Sequence, residues 1–259
     1  MPMWLAEIVN RRCRRSMMAG LFVATAAAVS VPISVGAEGL SLPSGGVHGV
    51  DVSSLQHPSG VAINWGRVAA AGFRFAFVKA TQGDTYVNPY FGLDYAAAES
   101  AGLYRGAYDF ANPSASGGAN QADFLLSVAP YAIDGHTLPP VLDVEGVSGE
   151  PTCYGYSQAG MVSWIATFID EVQARTGHLP IIYTNASWWN QCTGGSSAFA
   201  NDPLWLASYK TFTPTLPAGW GTLAFWQYTN TGRVPGISTS TDLSYSPGGA
   251  SGLGALAAA

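Results

Sequence analysis

The chain has 259 residues, a formal net charge of −5 at neutral pH, and only 10% charged residues beside 48% hydrophobic ones. No basic run with interleaved aromatics occurs, which argues against a nucleic-acid partner, and the acidic balance argues against attraction to an anionic surface. Recognition must rest on shape, stacking and hydrogen bonds, for which eight Trp and twelve Tyr are a large supply.

The first segment reads as an export signal rather than as part of the fold. Arg11, Arg12, Arg14 and Arg15 precede an apolar, Ala-rich stretch from Met17 to about Val31, and Val35-Gly36-Ala37 offers a small-residue cleavage site before Glu38. This order of regions describes a secretory signal. The expected signal covers residues 1–37, with a short segment at 38–46 after it. A retained anchor is the alternative, and Arg14-Arg15 leaves a twin-arginine route open. No later apolar stretch is long enough to cross a bilayer. The expected location is therefore secreted, cell-wall or periplasmic, with no stable membrane insertion once the signal is gone.

From Val47 onward, short apolar runs alternate with helix-like segments. Val47–Val52 reads as a strand and Asn64–Ala71 as a helix; Phe73–Ala80 and Leu103–Phe110 are further strands, each followed by a helix, at about 88–101 and 118–128. A strand ends at Glu145. The clearest helix starts at a Ser157 cap, carries Met161, Trp164, Ile165, Phe168, Ile169 and Val172 on one stripe, and closes at Gly177. Leu179–Thr184 is the next strand. Then the rhythm changes: Leu204–Tyr209 and Thr222–Tyr228 look like strands with only short or poor helices between them. Five βα-like units followed by strand-rich sequence indicate an α/β protein with a parallel sheet. A closed barrel fits the length, and the pattern leaves a doubly wound sheet open. The Gly/Ala/Ser-rich tail, 248–259, reads as frayed.

Cys13 leaves with the signal. Cys153 and Cys192 remain, an even count that favours a disulfide in an exported chain. Closing a loop of about 40 residues contributes roughly 4 kcal/mol in the chain-entropy model. His48, His57, His136 and His178 show no ligand spacing with these cysteines or with each other, so neither a metal nor a cofactor is expected.

The most informative motif is Asp143-Val144-Glu145 at the end of an apolar strand. Residues i and i+2 of a strand point to one side, which sets the two Cα atoms roughly 6.5 Å apart. Buried like charges at that spacing push one carboxyl up and leave its partner ionised. Such a pair supplies a proton donor and an anion at neutral pH, as glycoside hydrolysis requires. Asp-x-Glu also occurs often on solvated strand ends. What favours chemistry here is company: Asp51, Lys79, Asp109 and Tyr183 fall at other strand ends, where barrels gather functional groups.

These segments resemble glycoside hydrolase family 25, the N-acetylmuramidase lysozymes. The match begins at Gly49-Val50-Asp51-Val52-Ser53-Ser54 with Gln56 and continues through Phe77-Val78-Lys79-Ala80-Thr81 and Gly106-Ala107-Tyr108-Asp109-Phe110. It takes in Asp143-Val144-Glu145, Ile182-Tyr183-Thr184, Leu204-Trp205-Leu206-Ala207-Ser208-Tyr209 and Trp226-Gln227-Tyr228-Thr229, and ends with Val234-Pro235-Gly236-Ile237 and Asp242-Leu243. It spans about 47–245, nearly all of the chain after the signal. The resemblance implies a modified TIM-like barrel, five βα units followed by three further strands, with the catalytic domain at 47–247. It implies cleavage of the β-1,4 bond between N-acetylmuramic acid and N-acetylglucosamine. Glu145 takes the general-acid place, Asp143 that of the partner that steadies charge or orients the acetamido group, and Asp51 and Asp242 complete the acidic set.

The expected substrate contacts are Lys79, Tyr108, Asp109, Tyr183, Trp205 and Trp226. For the aromatics among them, core filling competes with sugar contact, and Lys79 reads either as an ion-pair partner or as a donor to sugar. Three residues depart from the family pattern: Asp109 stands where histidine is common, Gln82 where glutamate is common, and Asn88 where aspartate is frequent. The expected partner is the peptidoglycan glycan strand, met by a monomer. Rival readings are a catalytically weak glycan-binding barrel, a glucosaminidase, or a chitinase of family 18. The last expects a further acid two positions before the aspartate, where Val141 stands.

Overall fold

Alternation along the strands decides which residues meet. In β2 (Phe75–Gln82), Phe75 and Phe77 pack in one apolar cluster with Tyr108, Val141, Ile181, Tyr183, Trp205 and Phe225, while Ala76 and Val78 pack in another with Leu142, Ile182, Leu206 and Trp226. Two faces with separate cores on one set of strands describe a closed barrel: one cluster fills the interior, the other lies beneath surrounding helices. The structure, a computed structural model, describes residues 45–209 and 214–258. The expected signal at 1–37 and nearly all of the 38–46 segment lie outside the described residues.

The strand partners of β2 are β1 (Val47–Val52) and β4 (Tyr104–Phe110), both parallel to it. β5 (Val141–Asp143), β6 (Ile181–Thr184), β7 (Leu204–Ala207) and β8 (Phe225–Gly232) continue the parallel series. β9 (Thr241–Ser246) runs antiparallel to both β8 and β1 and closes the ring, and the two-residue β3 (Tyr86–Val87) folds back on β2. Helices α1 (Trp65–Ala70), α2 (Phe91–Ser100), α3 (Gly118–Val128), α4 (Gln158–Thr176) and α5 (Ala186–Thr193) follow the first five barrel strands. Among the described residues none lies between β7 and β9. The result is five βα units and three further strands, as the resemblance implied.

Two glycines show how tightly the interior is filled. A Cβ at Gly49 would sit 2.2 Å from the Phe75 ring, and one at Gly106 would sit 2.5 Å from Phe77. Small residues on one strand make room for aromatic rings from its neighbour. The α4 boundaries follow the sequence signals: Ser157 accepts from Gly160 N, and Gly177 adopts the left-handed cap at φ 80°. Cys153 and Cys192 form the expected disulfide.

The tail departs from expectation. Instead of fraying, residues Gly249–Ala258 form α6, with Leu253 and Ala257 fully buried in the interior cluster beside Phe75, Leu138 and Phe225. Its Gly/Ala content suggested disorder, but Leu253 and Ala257 are four apart and fall on one helical face. That face stops the barrel at the end where the parallel strands begin. No helix among the described residues is long and apolar enough to cross a membrane.

Candidate active site

At the opposite end, where the parallel strands finish, lies a cleft of about 610 Å³. Asp51, Asp143, Glu145 and Asp242 all line it. Asp51, the penultimate residue of β1, stands directly opposite Asp242 of β9 in the antiparallel ladder, a register that sends both side chains to the same face. Asp143 ends β5, paired on one side with Phe110 and on the other with Tyr183. Glu145 lies two residues further along, beyond the strand. Asp143 is buried at the floor, whereas Glu145 is only partly buried, toward the mouth.

Burial pushes all four carboxyls upward, because removing water penalises the charged form. Asp51 is raised well above the usual range by burial and then by the Asp242 charge, opposed by a hydrogen bond from Gln227. Asp51 and Asp242 face each other across the β1–β9 register, and their closeness adds to the upward push on Asp51. Asp143 is raised by burial and by the charge of Glu145, with Lys79 holding it down. Glu145 is raised to about 7 by burial and by Asp242, again opposed by Lys79. Asp143 and Glu145 therefore both favour the protonated form more than free carboxyls do. Oδ1 of Asp143 is buried with no hydrogen-bond partner among the described residues.

The wall residues sort by strand face. Lys79, Tyr108, Tyr183 and Trp205 line the cleft as expected. Lys79 donates to Gln82 Oε1 at 2.8 Å and lies 4.5 Å over the Phe110 ring; among the described residues it makes no close ion pair and acts as a donor. Trp205 belongs to the floor: it stacks on Phe77 at 4.3 Å and donates Nε1 to Ser244 Oγ at 2.9 Å. Asp109 and Trp226 do not join the cleft. Tyr108 faces inward, so its neighbour Asp109 faces outward. There it is completely buried, accepts from Thr81 Oγ1 at 2.7 Å, and is pushed up to about 7 by burial. Phe225 and Gln227 face inward, so Trp226 packs in the outer cluster and donates to Ser208 O at 2.8 Å.

Two residues gain roles that no motif assigned. Gln227 Nε2 donates to both oxygens of Asp51, at 3.1 and 3.0 Å, while its Oε1 accepts from Tyr183 at 2.8 Å and Tyr209 at 2.6 Å. The two phenols fix which way the amide points. The inward parity of Gln227, two residues after Phe225, was the available sequence signal. Tyr209 had none beyond its place in a matching segment. Among the described residues, no group of three or more His, Cys, Asp or Glu is arranged to hold a metal ion.

Comparison with known proteins gives a consistent result. A family model described as glycosyl hydrolases family 25 matches residues 50–237. The chain is 44% identical over 214 residues to Lysozyme M1 of Streptomyces globisporus, covering 82% of this chain and 71% of that protein. It is 45% identical over 187 residues to an N,O-diacetylmuramidase of Chalaropsis sp, covering 70% and 87% respectively. The crystal structure of the bacterial lysozyme from Streptomyces coelicolor superimposes with a TM-score of 0.79 at 44% identity, over 83% of this chain and 99% of that one.

Proposed function

The chain belongs to the glycosyl hydrolases of family 25, and on that footing we propose the chemistry of a peptidoglycan muramidase whose general acid is Glu145. The protein is a glycoside hydrolase that cleaves the β-1,4 bond between N-acetylmuramic acid and N-acetylglucosamine. The observation that carries the residue roles is the convergence of four carboxyls from both ends of the sequence in one cleft.

Glu145 donates its proton to the glycosidic oxygen as the bond to the anomeric carbon breaks. Its partly exposed position puts it within reach of the leaving group, and its raised pKa keeps it protonated near neutrality. Asp143, deeper on the same strand end, accepts the N–H of the substrate's acetamido group through its unpartnered Oδ1. That contact turns the acetamido oxygen toward the anomeric carbon and balances the positive charge developing there. Asp51 and Asp242 set the polarity of the opposite wall. Lys79, Tyr108 and Tyr183 contact the sugars. The enzyme acts outside the cytoplasm as a monomer on the glycan strands of the wall.

Purified cell walls provide the test. Turbidity should fall, reducing ends should appear, and mass analysis should find muramic acid at the new reducing ends. Glucosamine at those ends would make the enzyme a glucosaminidase, and binding without release would make it a glycan-binding barrel.

A further inference from the structure

Asp143 and Glu145 are two residues apart, yet their backbones are held by different means. Asp143 is part of the sheet, and its carbonyl accepts from Ala111 N at 2.8 Å. Glu145 has left the sheet, and its carbonyl accepts the phenol of Tyr154 at 2.8 Å. Tyr154 sits in a turn of unusual shape. Cys153 and Tyr154 have φ of 54° and 56°, followed by Gly155 at 77°. Two successive non-glycine residues in the left-handed region are conformations a chain keeps only when its surroundings impose them.

The surroundings here are α5. The Cys153–Cys192 bridge ties the turn to the end of that helix. Near the start of the same helix, Trp188 lies against Gly146, where a Cβ would come within 3.3 Å of the indole. One helix therefore braces both ends of the loop that runs from Glu145 to Tyr154.

We propose that Tyr154 is a positioning residue for Glu145, and that the Cys153–Cys192 bridge, by holding Tyr154 in its left-handed turn, aims the proton donor. The inference rests on Glu145 being the general acid. A carboxyl that must reach a leaving oxygen at hydrogen-bond distance tolerates little displacement. The bridge thus acts on turnover and not only on stability.

Tyr154→Phe tests this most cleanly, because it keeps the ring and the bridge and removes one hydroxyl. On purified peptidoglycan, kcat should fall about tenfold with KM within about twofold. The alkaline limb of the kcat profile should move to lower pH, because a Glu145 turned toward water loses the burial that raises it. The Cys153→Ser/Cys192→Ser variant, assayed well below its melting temperature, should lose a similar factor. Adding Tyr154→Phe to it should cost little more, since both changes act through one contact. A Tyr154→Phe enzyme with wild-type kcat and pH profile overturns the proposal, whether or not the bridgeless variant folds; so do losses that multiply in the combined variant. Glu145→Gln in the same assay separates the two readings. If it stays active the acid assignment fails, and if it is inactive while Tyr154→Phe is unimpaired only the positioning role fails.

Discussion

The two acid pairs of the cleft are built in opposite ways. Asp51 and Asp242 come from the two ends of the barrel and meet across an antiparallel register. They are already provided for, with the Gln227 amide donating to both oxygens of Asp51. Asp143 and Glu145 are neighbours in sequence. Their pair is left incomplete, with one buried oxygen of Asp143 lacking a partner among the described residues and Glu145 held outside the strand. A pair whose polar needs are met internally is suited to maintaining a field. A pair with unmet needs is suited to being completed by substrate, so the cost of burying Asp143 is recovered when sugar binds.

Substitutions should separate these roles by size. The largest effect is expected at Glu145: Glu145→Gln should lower kcat by about 10²–10⁴-fold, the range for loss of a general acid, while glycan binding measured by wall pull-down persists. In the parent enzyme, kcat should fall as pH rises through about 7, because the donor must be protonated. Asp143→Asn comes next, at roughly 10²–10³-fold in kcat, since the amide replaces an acceptor with a donor at one position. Wall-cleavage assays of Asp51→Asn alongside it should show a loss smaller by an order of magnitude or so. Equal losses at the two aspartates would erase the distinction between the pairs.

Gln227→Met should cost only a few-fold to about tenfold in kcat. It removes the bond that lowers Asp51, so the pH–rate profile should shift upward where Asp51 contributes. The smallest catalytic effect is expected at Asp109. Its buried carboxyl has a folded pKa near 7, above its ordinary 3.8. Stability tied to this group is full below the lower value and is lost as pH rises through the upper one. Asp109→Asn copies the neutral form, so it should leave kcat near wild type and raise stability at pH 8 by up to about 4 kcal/mol. Melting curves from pH 5 to 8.5 should show a flatter dependence in the variant.

Much of this was legible before any coordinates. The Asp143-Val144-Glu145 motif ends an apolar strand, and the strand ends bearing Asp51, Lys79 and Tyr183 do converge. The errors came from ignoring parity. Tyr108 and Asp109 are adjacent in one strand, so they cannot both face the interior, and the same holds for Trp226 beside Gln227. The β2–β4 pairing shows one lawful exception: a register shift between Lys79 and Thr81 lets Lys79 and Gln82 meet on the inner side. Such a shift leaves no mark in the amino-acid sequence. The Gln227 network was hidden for a different reason, because Gln227 and Asp51 are 176 residues apart and only closure of the ring joins them. Composition misread α6, whose helicity depends on a barrel interior for Leu253 to enter.

That short C-terminal helix has a wider bearing. By stoppering the vessel from beneath, Leu253 and Ala257 shut water out of the base of the barrel, leaving the acids to face the open mouth of the cleft. The permittivity under the carboxyls then depends on the sugar itself, and a leak at the base, as in Leu253→Ser, would weaken the burial that raises their pKa values without altering one group in the cleft.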